Sequence, residues 1–170
     1  MKNIVLIGMP GTGKSTVGKA LADRLGDDFV DADDLIVQTT GKTLPEILRQ
    51  DGLEAFYKIE NKVGTDLNRT HTVIATGGSM VLYPEAMAHL KEGSTVIWLQ
   101  TPFSQLEKRM PADLYDRGIA VPAGTPLREI YEERCVLYAR YADLIVASQD
   151  GEADTARLVE DVMRTVGLET

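Results

Sequence analysis

Short apolar runs alternate with amphipathic stretches along nearly the whole chain. Five runs are apolar enough to predict buried strands, at 3–8, 29–31, 72–76, 95–99 and 144–146. Apolar residues at helical spacing predict helices between them, at 14–25, from about 33 to Gly41, and at 46–49, 52–68, 84–91, 103–110, 126–141 and 152–166. Short apolar strands separated by helices predict an α/β fold, in which a parallel sheet carries helices on both faces.

The polar residues that could carry chemistry directly follow the strands. In parallel sheets of this kind, ligands bind beyond the carboxyl ends of the strands. Gly8 comes at the end of the first strand, Asp31 ends the second, and the pair Gly77-Gly78 follows the third. We therefore expect the functional residues to meet at this edge of the sheet.

The first strand leads into the run Gly8-Met9-Pro10-Gly11-Thr12-Gly13-Lys14-Ser15. This run fits the pattern G-x-x-x-x-G-K-[ST] between a strand and a helix, in which glycine backbones curl around phosphates and amide N–H groups donate to them. Lys14 would reach the β- and γ-phosphates, and the Ser15 hydroxyl would ligate Mg²⁺. The motif predicts a nucleotide site formed by Gly8, Gly11, Thr12, Gly13, Lys14, Ser15 and Thr16.

Two carboxylates at the end of the second strand can face this loop. A phosphoryl-transfer site needs a metal near the β/γ oxygens and a group that deprotonates the nucleophile. Asp31 is the natural partner for Mg²⁺, directly or through water, and Asp33 is the natural acceptor of a substrate hydroxyl proton. Alternatively, Asp33 caps the following helix, since aspartate is a favoured N-cap.

Residues 111–125 lack the periodicity of the rest of the chain. They carry Arg117 in the middle, and glycine and proline near the end. Long loops in compact domains are usually functional or disordered. We interpret this one as a lid that closes over bound nucleotide, with a merely flexible connection as the alternative.

Composition narrows the class of protein and of partner. The 170 residues are 44% apolar and 26% charged, as expected for one globular domain over 1–170. No apolar run approaches the roughly 20 residues that span a bilayer, and the first strand begins too early to leave room for a signal peptide. The net charge of −8 and the pI near 4.8 leave no basic face for nucleic acid. Cys135 is the single cysteine, which excludes an internal disulfide and fits a cytoplasmic protein. For the oligomeric state, we favour a monomer.

Other nucleotide-binding classes fit the sequence less well. Motor-type and transporter ATPases usually carry a metal-binding aspartate after an apolar third strand, whereas this strand ends in Thr76-Gly77-Gly78. A GTPase needs Asn-Lys-x-Asp, and the near match Asn61-Lys62-Val63-Gly64 lacks the aspartate. A nucleoside monophosphate kinase needs several arginines for its second nucleotide, but 40–70 offers only Arg49 and Arg69, which we interpret as solvated helix residues. A nucleotide-sensing protein without an acceptor is the non-enzyme alternative.

Six features, in order along the chain, resemble the shikimate kinase family: the phosphate loop, Asp31-Ala32-Asp33, Phe56 with Glu60, Gly77-Gly78, Arg117 in the lid, and Arg134 followed by Tyr138. The resemblance covers nearly the entire chain. It implies a single-domain, three-layer P-loop NTPase fold whose five-stranded parallel sheet has the order 2-3-1-4-5. It also implies ATP with Mg²⁺ as the donor, and transfer to a hydroxyl of a small carboxylate-bearing metabolite, shikimate foremost.

The resemblance further implies a role for each matching residue. Asp31 and Ser15 would hold the metal, and Lys14, Asp33 and Arg117 would be the catalytic residues. Asp33 would also bind the substrate hydroxyls. The N–H groups of Gly77 and Gly78 would approach the substrate, and Arg134 would bind its carboxylate. Arg109 would lie against adenine, and Arg117 would bind the transferring phosphate.

The chain departs from the family pattern in three places. Tyr57 stands where an arginine follows the phenylalanine, Ser79 stands where a third glycine is usual, and Gly118-Ile119 replaces Pro-Leu in the lid. The missing arginine ordinarily neutralises the glutamate equivalent to Glu60 and shares the substrate carboxylate with the arginine equivalent to Arg134. A tyrosine does not replace such a bidentate arginine.

These departures leave alternatives for the acceptor. A buried Glu60 without a partner would be costly, so either Lys58 or another cation compensates, or the substrate brings positive charge. The second option suggests homoserine or another small hydroxy-amino acid, with its ammonium near Glu60. We expect the acceptor site to comprise Asp33, Tyr57, Glu60, Gly77, Gly78, Ser79 and Arg134, with Ser79 adding a hydrogen bond to a smaller acceptor.

Overall fold

A computed structural model describes residues 3–148 and 155–168. Within these ranges the strands lie at Asn3–Ile7 (β1), Asp28–Asp31 (β2), Thr72–Ala75 (β3), Ser94–Gln100 (β4) and Leu144–Ala147 (β5). The α-helices lie at Lys14–Leu25 (α1), Ala32–Thr40 (α2), Leu44–Gln50 (α3), Leu53–Asp66 (α4), Pro84–Lys91 (α5), Phe103–Arg109 (α6), Leu127–Tyr141 (α7) and Thr155–Thr165 (α8). Two 3-10 helices lie at Met80–Leu82 and Leu114–Arg117.

The strands form one sheet in the order β2-β3-β1-β4-β5, with every neighbouring pair parallel. Both the sheet and its order were predicted and are confirmed. The order places β1 in the centre, with Ile4 opposite Val73 of β3 and Thr95 of β4. Because all strands run the same way, their carboxyl ends share one edge, and the phosphate loop leaves β1 at that edge.

The alternation of side chains along β1 divides the core into two layers. Ile4 and Leu6 pack on one face, in the cluster that includes residues of α1 and α8. Val5 and Ile7 pack on the other face, against a cluster that includes residues of α5 and α7. Since a parallel sheet must be covered on both sides, these two clusters give the three-layer arrangement.

A third apolar cluster holds helices α2, α3 and α4 together beside the carboxyl edge of the sheet. Ile36, Ile47, Leu48 and Phe56 are its buried helical members, and Ala120 joins them from the segment after Leu114–Arg117. The predicted lid is therefore packed against these helices through its own apolar residues.

The predicted boundaries differ from the structure mainly at helix starts. Helix α3 begins at Leu44, two residues before the predicted 46, because the Thr43 hydroxyl caps it by accepting from Glu46 N at 3.3 Å. Within the predicted lid, a 3-10 helix spans Leu114–Arg117. The predicted start of the last helix at 152 lies outside the described residues. Within the described ranges, no helix combines the length and the hydrophobicity that crossing a membrane requires.

Candidate active site

The phosphate loop curls over the first turn of α1. Gly13 precedes the helix with φ 86°, in the left-handed region that favours glycine, and leaves the N–H groups of the first turn free to bind anions. A Cβ at Gly8 would lie 2.7 Å from the Leu99 carbonyl oxygen. Glycine at 8 therefore allows the loop to begin directly beside β4.

Lys14 is buried inside the loop. Its Nζ donates to the carbonyl oxygens of Gly8 and Met9, each at 2.8 Å. Burial lowers the pKa of Lys14 to about 8, while the carboxylates of Asp33 and Asp31 oppose that shift. The ammonium is therefore mostly protonated at neutral pH and held where the phosphates of a nucleotide would lie.

Asp31 links the end of β2 to the phosphate loop. Its Oδ1 accepts from Asp33 N at 2.8 Å and from Asp34 N at 3.3 Å, so Asp31 is the N-cap of α2. The alternative in which Asp33 is the cap is therefore wrong, and the Asp33 carboxylate is free to face the cavity. Asp31 Oδ2 also accepts a hydrogen bond from the Ser15 hydroxyl. Two hard oxygen ligands thus lie side by side, a set that fits Mg²⁺ completed by phosphates and water.

Two acidic side chains approach each other across Gly77. A Cβ at Gly77 would lie 2.6 Å from both Asp33 Oδ1 and Glu60 Oε2, so a bare backbone is needed between them. Burial, with the nearby charges of Glu60 and Asp31, raises the pKa of Asp33 to about 7. A carboxylate with this pKa can take a proton from a hydroxyl near neutral pH.

One cavity of about 300 Å³ joins the phosphate loop to the helices on the other side of the edge. It brings together all three residues predicted as catalytic, Lys14, Asp33 and Arg117. Its lining also contains most of the predicted nucleotide and acceptor residues: Gly11, Gly13, Ser15, Thr16, Glu60, Gly77, Gly78, Ser79 and Arg134. Phe56, Thr76 and residues 118–120 complete the enclosure.

Five predicted residues lie outside this lining. Gly8 and Thr12 form the body of the phosphate loop, and Asp31 reaches the site through Ser15. Arg109 donates to the carbonyl oxygen of Gly11 at 2.8 Å, which fixes the guanidinium against the loop. Tyr57 lies behind the lid, with its hydroxyl 3.1 Å from the Ala120 carbonyl oxygen.

Glu60 accepts a hydrogen bond from a hydroxyl, and the charges of Arg134 and Lys14 also act on it. The side chain is buried, and its Oε1 accepts a hydrogen bond from the buried Ser79. Burial raises the pKa of Glu60, and the Ser79 and Tyr83 hydroxyls and the charges of Arg134 and Lys14 oppose that rise. Lys58 is exposed on α4 and forms no ion pair with Glu60 among the described residues, so the expectation that Lys58 compensates is wrong. The Ser79 hydroxyl, expected to serve a smaller acceptor, is occupied by Glu60 instead.

Arg134 brings a buried positive charge to the cavity, and Gly78 lies between its guanidinium and Pro10 of the phosphate loop. Only 3% of Arg134 is exposed, and its Nη2 donates to the Ala120 carbonyl oxygen at 2.9 Å. One turn further along α7, the Tyr138 hydroxyl donates to the Gly78 carbonyl oxygen at 2.7 Å. Helix α7 thus fixes both a buried cation and the glycine loop after β3.

Residues 117–120 of the predicted lid line the cavity, and two kinds of contact hold this segment in place. Ile119 and Ala120 are each 2% exposed and belong to the apolar core. Arg49 of α3 forms ion pairs with Asp113, at 3.2 Å, and with Asp116. Arg49 is a solvated helix residue, as predicted, with 47% of its side chain exposed, but its pairing with the lid segment was not predicted. A partner more than 60 residues away leaves no local signal in the sequence.

The fold and the cavity define a class of protein. One small enclosed space is bordered by four features: a phosphate loop, a hydroxyl–carboxylate pair that fits Mg²⁺, a carboxylate able to take a proton, and a buried arginine. This is the arrangement of a P-loop kinase that acts on a small molecule.

Comparison with known proteins gives the particular family. The shikimate kinase family profile matches residues 10–166. The shikimate kinase of Synechococcus elongatus is 39% identical over 163 residues, covering 93% of this chain and 85% of that protein. The enzyme of Persephonella marina is 37% identical over 150 residues, covering 88% of this chain and 90% of that protein. The chain belongs to the shikimate kinase family and is a phosphotransferase with a hydroxyl group as acceptor.

Solved structures agree with this assignment. The shikimate kinase of Acinetobacter baumannii, in complex with shikimate, has a TM-score of 0.86 and 29% identity, covering 98% of this chain and 93% of that one. The Aquifex aeolicus enzyme has a TM-score of 0.81 and 30% identity, covering 97% of this chain and 96% of that one. The shared fold therefore extends over essentially the whole chain.

Proposed function

We propose that this protein transfers the γ-phosphate of ATP to a hydroxyl of shikimate, giving shikimate 3-phosphate. The observation that carries the proposal is the single cavity, which is lined both by Lys14 and the phosphate loop and by the buried Arg134 guanidinium. Asp33 lines the same cavity. The cavity thus offers separate positions for a phosphate donor, a hydroxyl and a carboxylate on one small acceptor.

The residues of this chain then divide the reaction among them. Arg134 binds the carboxylate of shikimate, which directs its ring hydroxyls toward Gly77 and Asp33. Asp33 accepts the proton of the attacking hydroxyl, while the loop amides and Lys14 hold the β- and γ-phosphates in line. Arg117 of the lid binds the transferring phosphate and stabilises the charge that develops on it. Lid residues 118–120 exclude water, which would otherwise compete as the phosphate acceptor.

Ser15 and Asp31 would hold Mg²⁺. The ion supplies charge neutralisation on the β- and γ-phosphate oxygens when it is bound. Arg109 lies beside the phosphate loop through its bond to Gly11, a position that supports its assignment to the adenine side of ATP.

We further propose that the active unit is a monomeric single domain, because one chain brings Lys14, Asp33 and Arg117 together in one cavity. The lone Cys135 supports a location in the reducing cytoplasm. Light scattering during gel filtration measures the molar mass in solution, and a dimer mass that persists at assay concentrations would contradict the monomer.

The acceptor is tested by measuring ADP release with ATP and Mg²⁺ in the presence of shikimate or of homoserine. We expect acceptor-dependent ADP release with shikimate, and none above the background with homoserine. Glu60 is already paired with Ser79 and buried, so it does not require an ammonium group on the substrate. Turnover with homoserine alone would overturn the proposal, and ADP release unaffected by either compound would favour a protein that only binds nucleotide.

A further inference from the structure

Two side chains from different helices meet on one backbone oxygen of the lid. The Tyr57 hydroxyl of α4 donates to the Ala120 carbonyl oxygen at 3.1 Å, and Arg134 Nη2 of α7 donates to the same oxygen at 2.9 Å. Ala120 is itself buried, 2% exposed, so this contact is shielded from water. A carbonyl oxygen has two lone pairs, and both are used here.

The contact matters because Arg134 is buried and charged. None of the ion pairs among the described residues includes Arg134. A buried guanidinium needs hydrogen-bond acceptors to offset its desolvation and to fix the direction of its planar fork. The Ala120 carbonyl supplies one such acceptor, and the Tyr138 hydroxyl also interacts with the guanidinium. Arg134 itself lines the cavity.

Tyr57 in turn fixes the carbonyl. Its ring packs edge-on against Tyr83, with centroids 5.9 Å apart, so the hydroxyl is presented from a restrained ring. Burial raises the pKa of Tyr57, which keeps the phenol protonated and able to donate. Tyr57 does not line the cavity, and its hydroxyl reaches the lid through the hydrogen bond to Ala120.

We propose that the lid backbone is part of the acceptor site: the Ala120 carbonyl, held by Tyr57, orients the Arg134 guanidinium toward the acceptor's carboxylate. Tyr57 is a positioning residue in this relay from Tyr57 through Ala120 to Arg134. Lid closure and acceptor binding are then coupled, because opening the lid removes the oxygen that orients Arg134, and a bound carboxylate favours the closed lid in return. The inference rests on the proposed function, because it names shikimate as the molecule whose carboxylate Arg134 binds.

The first test is the variant Tyr57→Phe, which removes the hydroxyl and keeps the ring. We expect the Kd of shikimate, measured by calorimetry, and its KM to rise about tenfold. This is the effect expected from losing one hydrogen bond that is linked to a charged group. The KM of ATP and kcat should stay within about twofold. Tyr115→Phe is the matched control, because the Tyr115 hydroxyl also donates to a lid carbonyl, that of Val121 at 2.8 Å, without contacting Arg134. Equal effects of the two variants, or no effect of Tyr57→Phe, would overturn the relay.

A double-mutant cycle tests whether Tyr57 acts through Arg134. In an Arg134→Lys background, the short ammonium cannot use the same geometry, so adding Tyr57→Phe should change the Kd of shikimate by less than about twofold. Independent, multiplicative effects of the two substitutions would show that Tyr57 acts by another route.

The chain also allows the Ala120 carbonyl to be observed directly. Ala120-Val121 is the only Ala-Val pair in the sequence, so labelling alanine with ¹³C at the carbonyl and valine with ¹⁵N gives one cross-peak in an HNCO spectrum. We expect this carbonyl resonance to move as shikimate is added, with the Kd found by calorimetry, and to start from a different position in Tyr57→Phe. A resonance that does not respond to saturating shikimate would contradict the relay.

Wild-type turnover separates failure of the inference from failure of the proposed function. If the wild type phosphorylates shikimate but Tyr57→Phe matches it in Kd, the relay alone is wrong. If the wild type does not use shikimate, the proposed function is wrong, and the relay to its carboxylate fails with it.

Discussion

The two ends of the cavity are built in different ways. The donor end is made from consecutive residues, Gly8 to Ser15, whose backbone conformation and helix N-terminus form the phosphate site. The acceptor end is assembled from α2, α4, the loop after β3, the lid and α7, through contacts such as Ser79 to Glu60 and Arg134 to Ala120. The donor end therefore depends on local sequence, whereas the acceptor end depends on the packing of separate elements.

The largest expected effect belongs to the donor end. Lys14→Met removes the buried ammonium that holds the β- and γ-phosphates, and we expect kcat to fall at least about a hundredfold. Steady-state kinetics with both substrates measure this loss. Because Lys14 also bonds two loop carbonyls, circular dichroism and the melting temperature serve as controls for the fold. Near-normal turnover in a folded variant would remove Lys14 from the transfer step.

The second largest effect on turnover is expected from Asp33, which would accept the proton of the attacking hydroxyl. Asp33→Asn removes the proton acceptor, and we expect kcat to fall about 10²- to 10⁴-fold with little change in ATP affinity. The Asp33 pKa of about 7 sets the direction of the pH dependence in the wild type. The value of kcat/KM for the acceptor should decrease as the pH falls below about 7, because Asp33 becomes protonated. Asp34→Asn, one residue along α2 and exposed, is the matched control and should keep the wild-type pH profile. If kcat/KM of Asp33→Asn still decreased at low pH in the same way, a group other than Asp33 would be responsible for that decrease.

Removing a buried contact at the acceptor end should change the stability of the protein as well as its activity. Ser79→Ala removes the Ser79 hydroxyl from the buried Glu60 carboxyl, which should lower the free energy of unfolding by about 1–3 kcal/mol. The melting temperature should then fall by roughly 2–4 °C per kcal/mol for a chain of this size. Ser104→Ala, at an exposed position of α6, is the control and should change neither quantity. An unchanged melting temperature in Ser79→Ala would show that Glu60 finds another partner at no cost.

The smallest expected effect concerns the outer surface of the lid. Arg49→Ala removes the exposed ion pairs to Asp113 and Asp116, and exposed pairs contribute little. We expect kcat and KM to change by less than about threefold, with faster hydrogen exchange confined to residues 113–118. Lys62→Ala, which breaks the exposed pair with Asp66 inside α4, is the control that leaves the lid untouched. Loss of most activity in Arg49→Ala would mean that the surface pair, and not the buried contacts, holds the lid.

The same contrast explains how much the sequence could predict. Strand order, the phosphate loop and the position of Asp31 and Asp33 after β2 follow from local patterns and from the resemblance, and the structure agrees with them. The partners of Glu60 and Arg49 could not be predicted, because Ser79 and Asp116 are distant in the chain and their contacts depend on how helices pack. The charge argument for Lys58 failed for the same reason, since it considered the neighbours of Glu60 on α4 and not the loop after β3.

The burial of Ile119 and Ala120 gives the lid a particular thermal behaviour. A lid held by these residues opens only by moving apolar side chains from the core into water, which makes opening a local unfolding event with a positive change in heat capacity. A step of this kind has an enthalpy that increases with temperature. Where release of the phosphorylated product limits turnover, the logarithm of kcat plotted against inverse temperature should therefore curve, and its local slope should steepen on warming.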